Sequence, residues 1–235
     1  MRLEEILRES FDKLALPSGE DILKRYRVYY DFLSEKNEVM NLTAISGEED
    51  SANFHFIDSA ALLNFEDFKD KKVIDIGTGA GFPGMCLKIS EPSVNLTLLD
   101  SLDKRVNFLS GLCEKLEIGD VKCTHARAEE ISDDLRESFD IAVSRAVGRL
   151  NVLCEMCLPY VKPGGCFIAM KGPDPEQEIS EAINAVKLLG GELEKTVKYE
   201  AGNSGAVHSA VIVRKRSQTP KKYPRRWAQI KKSPL

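Results

Sequence analysis

The sequence lacks a long hydrophobic run and an N-terminal targeting signal. In 235 residues, no apolar stretch approaches the roughly 20 residues that a transmembrane helix needs. The first residues, MRLEEILRESFDKL, place acidic residues among apolar ones at helical spacing, without the cationic start and small-residue cleavage site of a signal peptide. We therefore expect a cytoplasmic protein with no membrane partner.

The sequence also lacks a set of metal ligands. Its six cysteines are scattered through apolar segments, which is typical of reduced, buried thiols rather than of a disulfide framework. Cys154 and Cys157 form a CxxC motif, but this spacing places both on one face of a predicted helix. Neither a second CxxC nor a pair of histidines lies nearby to complete four zinc ligands. We expect these thiols to pack in the core, and we expect no metal.

Acidic residues are missing from residues 214–235. This segment, RKRSQTPKKYPRRWAQIKKSPL, contains nine Lys or Arg residues, although the whole chain has a net charge of −4. Without these nine cations, 24 basic residues remain against 37 acidic ones, so residues 1–213 carry −13. Cations interleaved with Tyr223 and Trp227 are typical of a segment that binds a phosphate polymer, but a solvated, disordered terminus has the same composition. Both interpretations stay open.

The length of the chain favours one α/β domain with attachments over two full domains. Residues 1–65 show helical spacing of apolar residues, including a predicted helix over 53–64. Residues 66–215 alternate short apolar strands with helical segments, and residues 216–235 form the basic tail. We expect a helical cap, a central domain and a tail with these bounds.

The alternating region predicts a doubly wound α/β fold. Strand–helix alternation predicts a mostly parallel sheet with helices on both faces, and two final strands joined by AGNSG predict an antiparallel hairpin. This seven-stranded layout resembles the fold of S-adenosylmethionine (SAM)-dependent methyltransferases, whereas a dinucleotide-binding dehydrogenase would have a sixth parallel strand. The predicted helices between the strands are GMCLKIS, KRVNFLSGLCEKL, EEISDDLRE and LNVLCEMCLPYV.

The stretch DIGTGAGFPG, residues 75–84, follows the first strand and is rich in glycine. Gly77, Gly79 and Gly81 can adopt positive φ and allow a ligand to touch the backbone, which places a cofactor beyond the carboxyl end of the sheet. The stretch also contains GxGxxG, the dinucleotide pattern, so two classes of cofactor fit it.

Two residues favour SAM over a dinucleotide. Asp75 precedes the glycines, where its carboxylate can order the turn or hold the ammonium group of SAM through water, whereas a pyrophosphate would be repelled. Pro83 removes an N–H donor that a phosphate would use. Asp100, at the end of the second strand, can accept hydrogen bonds from the ribose hydroxyls of either cofactor.

The ends of two further strands carry residues that could contact a ligand. HARAEE closes the third strand, where the backbone at Ala128 could contact an adenine edge and Glu129 could accept from its amine. SRAVG closes the fourth strand, and Arg145 there needs an acceptor because it follows an apolar strand. That acceptor is either an anionic or carbonyl group of a ligand or an internal ion-pair partner.

The absence of two motifs narrows the choice of methyl acceptor. The fourth strand does not end in the Asn/Asp-Pro-Pro-aromatic motif used on exocyclic amines, and no Pro-Cys dipeptide is present to supply the nucleophile used on cytosine C5. These absences favour an acceptor that needs no activation, such as the unprotonated ring nitrogen N7 of guanine. Catalysis would then consist mostly of positioning.

Nine motifs are spread over nearly the whole chain: NLTAI, HFIDS, DIGTGAGFPG, LLDSLDKRVNFL, HARAEE, SRAV, LPYVKPGG, MKG and TPKKYPRR. In this combination of motifs the sequence resembles the bacterial 16S ribosomal RNA guanine-N7 methyltransferase family, also called the glucose-inhibited division protein B family.

We expect the protein to act as a monomer. The resemblance implies methyl transfer from SAM to N7 of one guanosine in 16S rRNA of the small ribosomal subunit. It implies cofactor contacts at Gly77, Phe82, Ala128, Glu129 and Arg145. Asp100 matches the family's strand-end acid. Arg145 and Asn41 are the candidate catalytic residues, and Thr43, His55 and Asp58 are weaker candidates for contacts with RNA or guanine. His55 and His208 are expected to be structural rather than catalytic.

Two alternatives come from other classes of protein. One is a dinucleotide oxidoreductase, which would bind NAD(H). The other is a ribosome-assembly factor that binds RNA and retains SAM without useful turnover.

Overall fold

A computed structural model describes residues 2–145 and 148–235. Within them, seven strands form one sheet in the order β3-β2-β1-β4-β5-β7-β6. The pairs from β3 to β5 are parallel, while β7 is antiparallel to both β5 and β6, as predicted. The strands are β1 (Lys72–Ile76), β2 (Asn95–Asp100), β3 (Lys122–His125), β4 (Phe139–Arg145), β5 (Val161–Lys171), β6 (Gly191–Glu200) and β7 (Val207–Lys215).

Both faces of the sheet are covered because its central strands are apolar on both sides. The helices after β1 are α5 (Gly84–Ser90), α6 (Asp103–Lys115), α7 (Leu150–Cys157) and α8 (Glu176–Leu188). In β1, Val73 belongs to a core with the N-terminal helices, α5 and α6, whereas Ile74 belongs to a second core with α7 and α8. The direction of the strand order reverses between β1 and β4, where open α/β sheets bind their ligands.

The N-terminal helices pack on the glycine-rich turn. Helices α1 (Arg2–Lys13) and α2 (Glu20–Met40) are followed by α3 (Glu48–Ser51). Tyr29 of α2 is fully buried and its hydroxyl donates to the carbonyl of Ala80 at 2.6 Å. The cap therefore supports the turn directly.

The predicted helix over 53–64 is helical but irregular. A π-helix, Ala52–Ile57, continues into α4 (Asp58–Ala60) and a 3₁₀ turn, Ala61–Asn64. Single π-helical turns are often found at functional sites, because they redirect side chains and backbone carbonyls relative to an α-helix.

The helix predicted for EEISDDLRE is wrong. The segment between β3 and β4 folds into turns, in which the amides of Leu135 and Arg136 both donate to the carbonyl of Ser132. Glu137 has a left-handed φ of 48°, which ends any helical course. Short polar side chains such as Ser and Asp compete with the backbone for hydrogen bonds, and this favours turns over helix.

The basic tail is ordered against the domain rather than solvated. Thr219, Tyr223 and Ile230 are buried, and α9 (Trp227–Lys232) lies beside α7. Arg225 donates to both oxygens of Glu155, at 2.8 and 2.6 Å, and this carboxylate has no exposed surface.

Four of the nine cations of residues 214–235 are used within the fold. They form ion pairs with acids of the domain: Arg214 with Glu66 and Glu194, Lys215 with Glu137, Arg216 with Glu192, and Arg225 with Glu155. The other five make no ion pair with a described residue: Lys221, Lys222, Arg226, Lys231 and Lys232.

The six cysteines are free thiols, and Cys154 and Cys157 are fully buried in α7, so the CxxC motif is part of the core. Within residues 2–145 and 148–235, no cluster of three or more His, Cys, Asp or Glu side chains is arranged to hold a metal. In the same part of the chain, every helix is too short or too polar to cross a bilayer.

Candidate active site

The glycine-rich turn lies at the carboxyl end of β1, beside the point where the strand order reverses. Gly77, Gly79 and Gly81 have φ values of 70°, 61° and 101°, as expected from the sequence. The amides of Gly77 and Thr78 both donate to the carbonyl of Leu99 on β2, which ties the turn to the neighbouring strand.

These glycines have different reasons to lack a side chain. A Cβ added at Gly79 would meet nothing within 4 Å, so this position borders open space. A Cβ at Gly81 would lie 2.6 Å from the Tyr29 hydroxyl, so its small size serves packing against α2. The small size of Gly81 is therefore needed for packing, and its contact with a ligand stays a prediction, whereas Gly79 has the expected free space.

Asp75 is a fully buried carboxylate with one unused oxygen. Its Oδ2 accepts from the Thr78 hydroxyl at 2.7 Å and from the Gly84 amide at 2.8 Å. Its Oδ1 is buried and has no partner among the described residues. Burial raises the pKa of Asp75 to about 6. An oxygen left in this state fits a ligand that brings a donor or a positive charge.

Asp100 orders the same turn from β2. Its Oδ2 accepts from the Gly79 amide at 2.9 Å and its Oδ1 from the Leu102 amide at 3.0 Å, with Arg105 Nη1 at 3.3 Å from Oδ2. A carboxylate offers about four acceptor positions. Three of these positions are used, so Asp100 retains capacity for about one further donor, such as a hydroxyl, while it holds the turn.

The segment after β3 carries two further candidates for cofactor contacts, Ala128 and Glu129. Ala128 is buried, and its carbonyl accepts from the Tyr160 hydroxyl at 2.9 Å. The Glu129 side chain is only 8% exposed and lies 3.8 Å from Arg127. Neither contact decides what Glu129 binds, so its role stays a prediction.

Phe82 and Arg145 meet at the centre of the site. Phe82 stacks on His55, with ring centroids 4.3 Å apart, and on Tyr29 at 5.2 Å. The Arg145 guanidinium lies 4.8 Å from the centroid of the Phe82 ring. The glycine-rich turn and the end of β4 are thus joined by a cation–π contact.

The internal partners of Arg145 come from the π-helix and its end. Nη1 donates to the carbonyl of Phe54 at 2.8 Å and lies 3.3 Å from Asp58 Oδ2, while Nη2 donates to His55 Nδ1 at 3.1 Å. Of the two interpretations that the sequence left open, the internal ion pair is present. A guanidinium has five N–H groups, and two of those of Arg145 have no partner among the described residues.

The contact with Arg145 determines the protonation state of His55. Because a guanidinium only donates, Nδ1 of His55 has to be the unprotonated nitrogen. Its Nε2–H then donates to the Thr43 hydroxyl at 2.8 Å. Burial and the charge of Arg145 lower the pKa of His55 to about 3. His55 is therefore neutral at physiological pH and its two nitrogens are both engaged.

Asp58 joins three elements of the fold. It is 1% exposed, and its Oδ1 accepts from the Tyr199 hydroxyl at 2.9 Å and from His208 Nδ1 at 2.8 Å. Its Oδ2 faces Arg145. The hairpin β6–β7 and strand β4 are thereby connected through one carboxylate of the N-terminal cap.

These residues surround a cavity of about 450 Å³. Met170 and Lys171, the last two residues of β5, and Gly172, which follows them, form part of its wall. The remaining lining residues are Ile45, Phe54, His55, Asp58, Arg145 and His208. Sequence reasoning treated His208 as structural and did not single out Tyr199; only the pairing of β6 with β7 brings them here.

Asn41 lies apart from these lining residues. It is exposed and ends α2 in a left-handed conformation with φ 50°. The loop that follows is held by Asn37, whose Oδ1 accepts from the amides of Leu42 and Thr43 at 2.7 and 2.9 Å. Sequence reasoning missed Asn37. The catalytic role expected of Asn41 stays a prediction. In the SRAV motif, Ala146 and Val147 lie outside the described residues.

The sheet order and the glycine-rich turn define the fold of SAM-dependent methyltransferases. A SAM-dependent methyltransferase from Aquifex aeolicus has this fold, with a TM-score of 0.52 and 20% sequence identity over 69% of this chain and 92% of that chain.

The chain belongs to the GidB family, rRNA small subunit methyltransferase G, whose model matches residues 22–207. It is 44% identical over 238 residues to "Ribosomal RNA small subunit methyltransferase G" of Alkaliphilus oremlandii, and 43% identical to the protein of that name from Clostridium perfringens. Both alignments cover 100% of this chain and of the relative. The predicted family and the predicted cofactor, SAM, are confirmed, and the alternative of a dinucleotide oxidoreductase is wrong.

Proposed function

We propose that this protein transfers the methyl group of SAM to N7 of a guanosine in 16S rRNA of the small ribosomal subunit, as a cytoplasmic monomer. The observation that carries the choice of N7 is that the two buried titratable side chains beside Arg145 offer no free base. Both nitrogens of His55 and both oxygens of Asp58 are already engaged within the fold. N7 carries no proton, so its methylation needs no general base.

The residues of the turn fit SAM. The unpartnered Oδ1 of Asp75 suits its ammonium group, the spare capacity of Asp100 suits one of its ribose hydroxyls, and the open space at Gly79 allows close approach to the backbone. Gly77, Phe82, Ala128 and Glu129 complete the proposed cofactor contacts. SAM, when bound, supplies a methyl group on a sulfonium, which an unprotonated nitrogen attacks.

Arg145 is the proposed catalytic residue among those of the cavity. It is held by Phe54, His55 and Asp58 and retains two N–H groups for a ligand. These donors suit guanine O6 or the methionine carboxylate of SAM. Holding the base in line with the methyl group accounts for most of the rate enhancement that such a site supplies.

The experiment that tests this function is methyl transfer from labelled SAM to small subunits that lack the modification. The modified nucleotide is then mapped by nuclease digestion and mass spectrometry. N7-methylguanosine at one position of 16S rRNA is the expected result. Binding of SAM without labelled rRNA would favour the alternative of an assembly factor, and a label on another atom would overturn the assignment to N7.

We extend the proposal to the tail, whose five unpaired cations are expected to contact RNA phosphates. Deleting the tail would expose the core, because Thr219, Tyr223 and Ile230 are buried. The better variant replaces the five unpaired cations with Gln. Its RNA binding should be weaker and less salt-dependent, since each lost phosphate contact removes roughly 0.7–0.9 from the slope of log K against log salt. Its SAM affinity should not change.

The matched control makes the same change in net charge outside the tail. Five exposed or half-buried lysines elsewhere on the surface make no ion pair with a described residue: Lys69, Lys71, Lys72, Lys122 and Lys187. Replacing these with Gln should leave the salt slope nearly unchanged. If both variants lower it equally, the tail contributes only net charge.

A further inference from the structure

His208 is the cavity residue with a polar atom left over. It lies on β7 directly across from Tyr199 on β6, and its side chain is 29% exposed. Its Nδ1 is 2.8 Å from Asp58 Oδ1. Because a carboxylate accepts, Nδ1 carries a hydrogen in this contact. Nε2 has no partner among the described residues, although the ring lines the cavity.

The chemistry of Nε2 depends on the charge of the ring. A neutral ring that donates from Nδ1 has a lone pair on Nε2 and would act as a base, whereas an imidazolium has an N–H there and donates. The hydrogen bond from Nδ1 to Asp58 raises the pKa of His208 above 6.5, against the opposing effects of burial and of Arg145. The charged and titratable groups around the ring are Asp58 on α4, Arg145 on β4, Lys171 on β5, Tyr199 on β6 and His55 on the π-helix.

The other polar groups at this wall are mostly donors. Arg145 has two N–H groups without a partner, and Lys171 Nζ is bound to the carbonyl of Gly148 and to Glu178. A keto oxygen entering the cavity would find donors, whereas an exocyclic amine at the same position would face donors without an acceptor. Leaving buried polar groups unpaired is what makes such discrimination strong.

We propose that His208, held by Asp58, donates from Nε2 to the keto oxygen O6 of the target guanine and so selects this base. This inference rests on the proposed function and adds the residue that distinguishes guanine from adenine. Asp58 acts as a positioning residue, since its oxygens are used by His208, Tyr199 and Arg145 and do not reach the base.

Two substitutions separate the contact with Asp58 from the contact with the base. In His208→Asn the amide nitrogen replaces Nδ1 and keeps the bond to Asp58, but the cavity donor is lost. In His208→Gln the amide nitrogen lies near the position of Nε2 and keeps the cavity donor. We expect kcat/KM for rRNA to fall roughly 10- to 100-fold in His208→Asn, as for loss of a hydrogen bond to a charged group, and clearly less in His208→Gln.

The pH profile is the readout that a structural role would not move. Activity of the wild type should fall as the pH rises through the raised pKa of His208, because the ring then loses its Nε2–H. His208→Gln should not show this fall. A rate that rises with pH, together with equal losses in both variants, would make His208 a general base and overturn the proposal.

A substrate change tests the same contact from the other side. A 16S rRNA assembled with 2-aminopurine at the target position lacks O6 but keeps N7. On this substrate the ratio of wild-type to His208→Asn activity should approach one. If the ratio stays as large as with guanine, His208 does not contact O6. Wild-type protein that methylates no rRNA would instead contradict the proposed function, so the two failures are distinct.

SAM affinity and thermal unfolding serve as controls for both variants. The affinity should match that of the wild type, because His208 is separated from the glycine-rich turn by Arg145 and Phe82. A variant that has lost both SAM binding and its unfolding transition would have failed to fold, and the 2-aminopurine comparison with the other variant then decides the question.

Discussion

Two buried carboxylates at the same edge of the sheet are used in opposite ways. Asp75, in the glycine-rich turn, leaves Oδ1 without a partner among the described residues, and its pKa is raised to about 6. Asp58, in the wall of the cavity, has both oxygens occupied by three side chains of the protein. One acid is incomplete without a ligand, whereas the other is complete within the fold.

The difference indicates how the two halves of the site are organised. A buried acceptor without a donor lowers stability, and such a group is retained where a ligand supplies the donor. A fully bonded carboxylate instead holds its partners, here Arg145 and His208, in one arrangement. Substitutions near Asp75 and the glycine-rich turn are therefore expected to change SAM binding. Substitutions near Asp58 in the cavity wall are expected to change turnover.

The largest expected effect is on turnover, in Asp58→Asn. The amide cannot accept from all three partners and places an N–H group toward one of these donors. We expect kcat to fall roughly 100-fold or more, since misplacing positioning groups by about 1 Å has effects of this size, while SAM affinity changes little. Single-turnover methyl transfer and calorimetric SAM binding measure the two quantities.

Asp140→Asn is the matched control for this change. Asp140 is at the other end of β4, where it pairs with Lys162 and accepts from the Lys72 amide. Its replacement should reduce stability slightly without affecting turnover. If Asp58→Asn weakens SAM binding as much as it slows turnover, the two carboxylates do not divide the site as described.

A smaller effect, on SAM binding rather than on turnover, is expected for Gly79→Val. The added side chain would fill the open space beside the turn and would strain a backbone with φ 61°. We expect SAM affinity to fall at least about tenfold. The free energy of unfolding should also fall by roughly 1–2 kcal/mol, because a branched residue is strained in a left-handed conformation. Calorimetry measures the affinity and thermal unfolding the stability.

Gly164→Val isolates the contribution of strain. Gly164 also has a left-handed φ, 92°, and its Cβ would also meet nothing within 4 Å, but it lies near the start of β5. This variant should lose stability and keep SAM affinity. Equal affinities in the two valine variants would remove the cofactor from the space beside Gly79.

The smallest effect is expected for Asp75→Asn, which should lower SAM affinity but raise stability. SAM affinity should decrease several-fold, because the ammonium group loses a charged partner. The free energy of unfolding should increase by about 1–2 kcal/mol above pH 7, less than the full cost of the buried charge because the new amide N–H also lacks a partner.

The pH dependence of this gain follows from the direction of the pKa change. The folded-state pKa of about 6 lies above the ordinary 3.8, so the folded protein binds this proton more tightly than the unfolded chain. The free energy of unfolding of the wild type therefore falls as the pH rises from about 4 to about 6, and it stays lower above that pH. Thermal unfolding should show the advantage of Asp75→Asn growing over this range. A constant difference between the two proteins would mean that Asp75 does not titrate there.

Local sequence patterns predicted the sheet and the glycine-rich turn well. Apolar strands, the hairpin turn AGNSG and the positive φ values of the glycines depend on neighbours in the sequence, and all are present. The acidic segment between β3 and β4 was predicted as a helix because its composition suits one, but Ser132 and Asp133 favour turns. Arg145 was identified as a residue that needs an acceptor, but the sequence left the acceptor open.

The sequence by itself determined the family, the parallel sheet and the position of the glycine-rich turn, because these depend on short motifs and on periodicity. Only the tertiary structure decided that Asp58, Tyr199 and His208 share one carboxylate, and that four cations of residues 214–235 are used inside the fold. These contacts join residues as many as 150 positions apart. Their partners are chosen by sheet register and by the packing of the cap, and neither can be derived from local spacing.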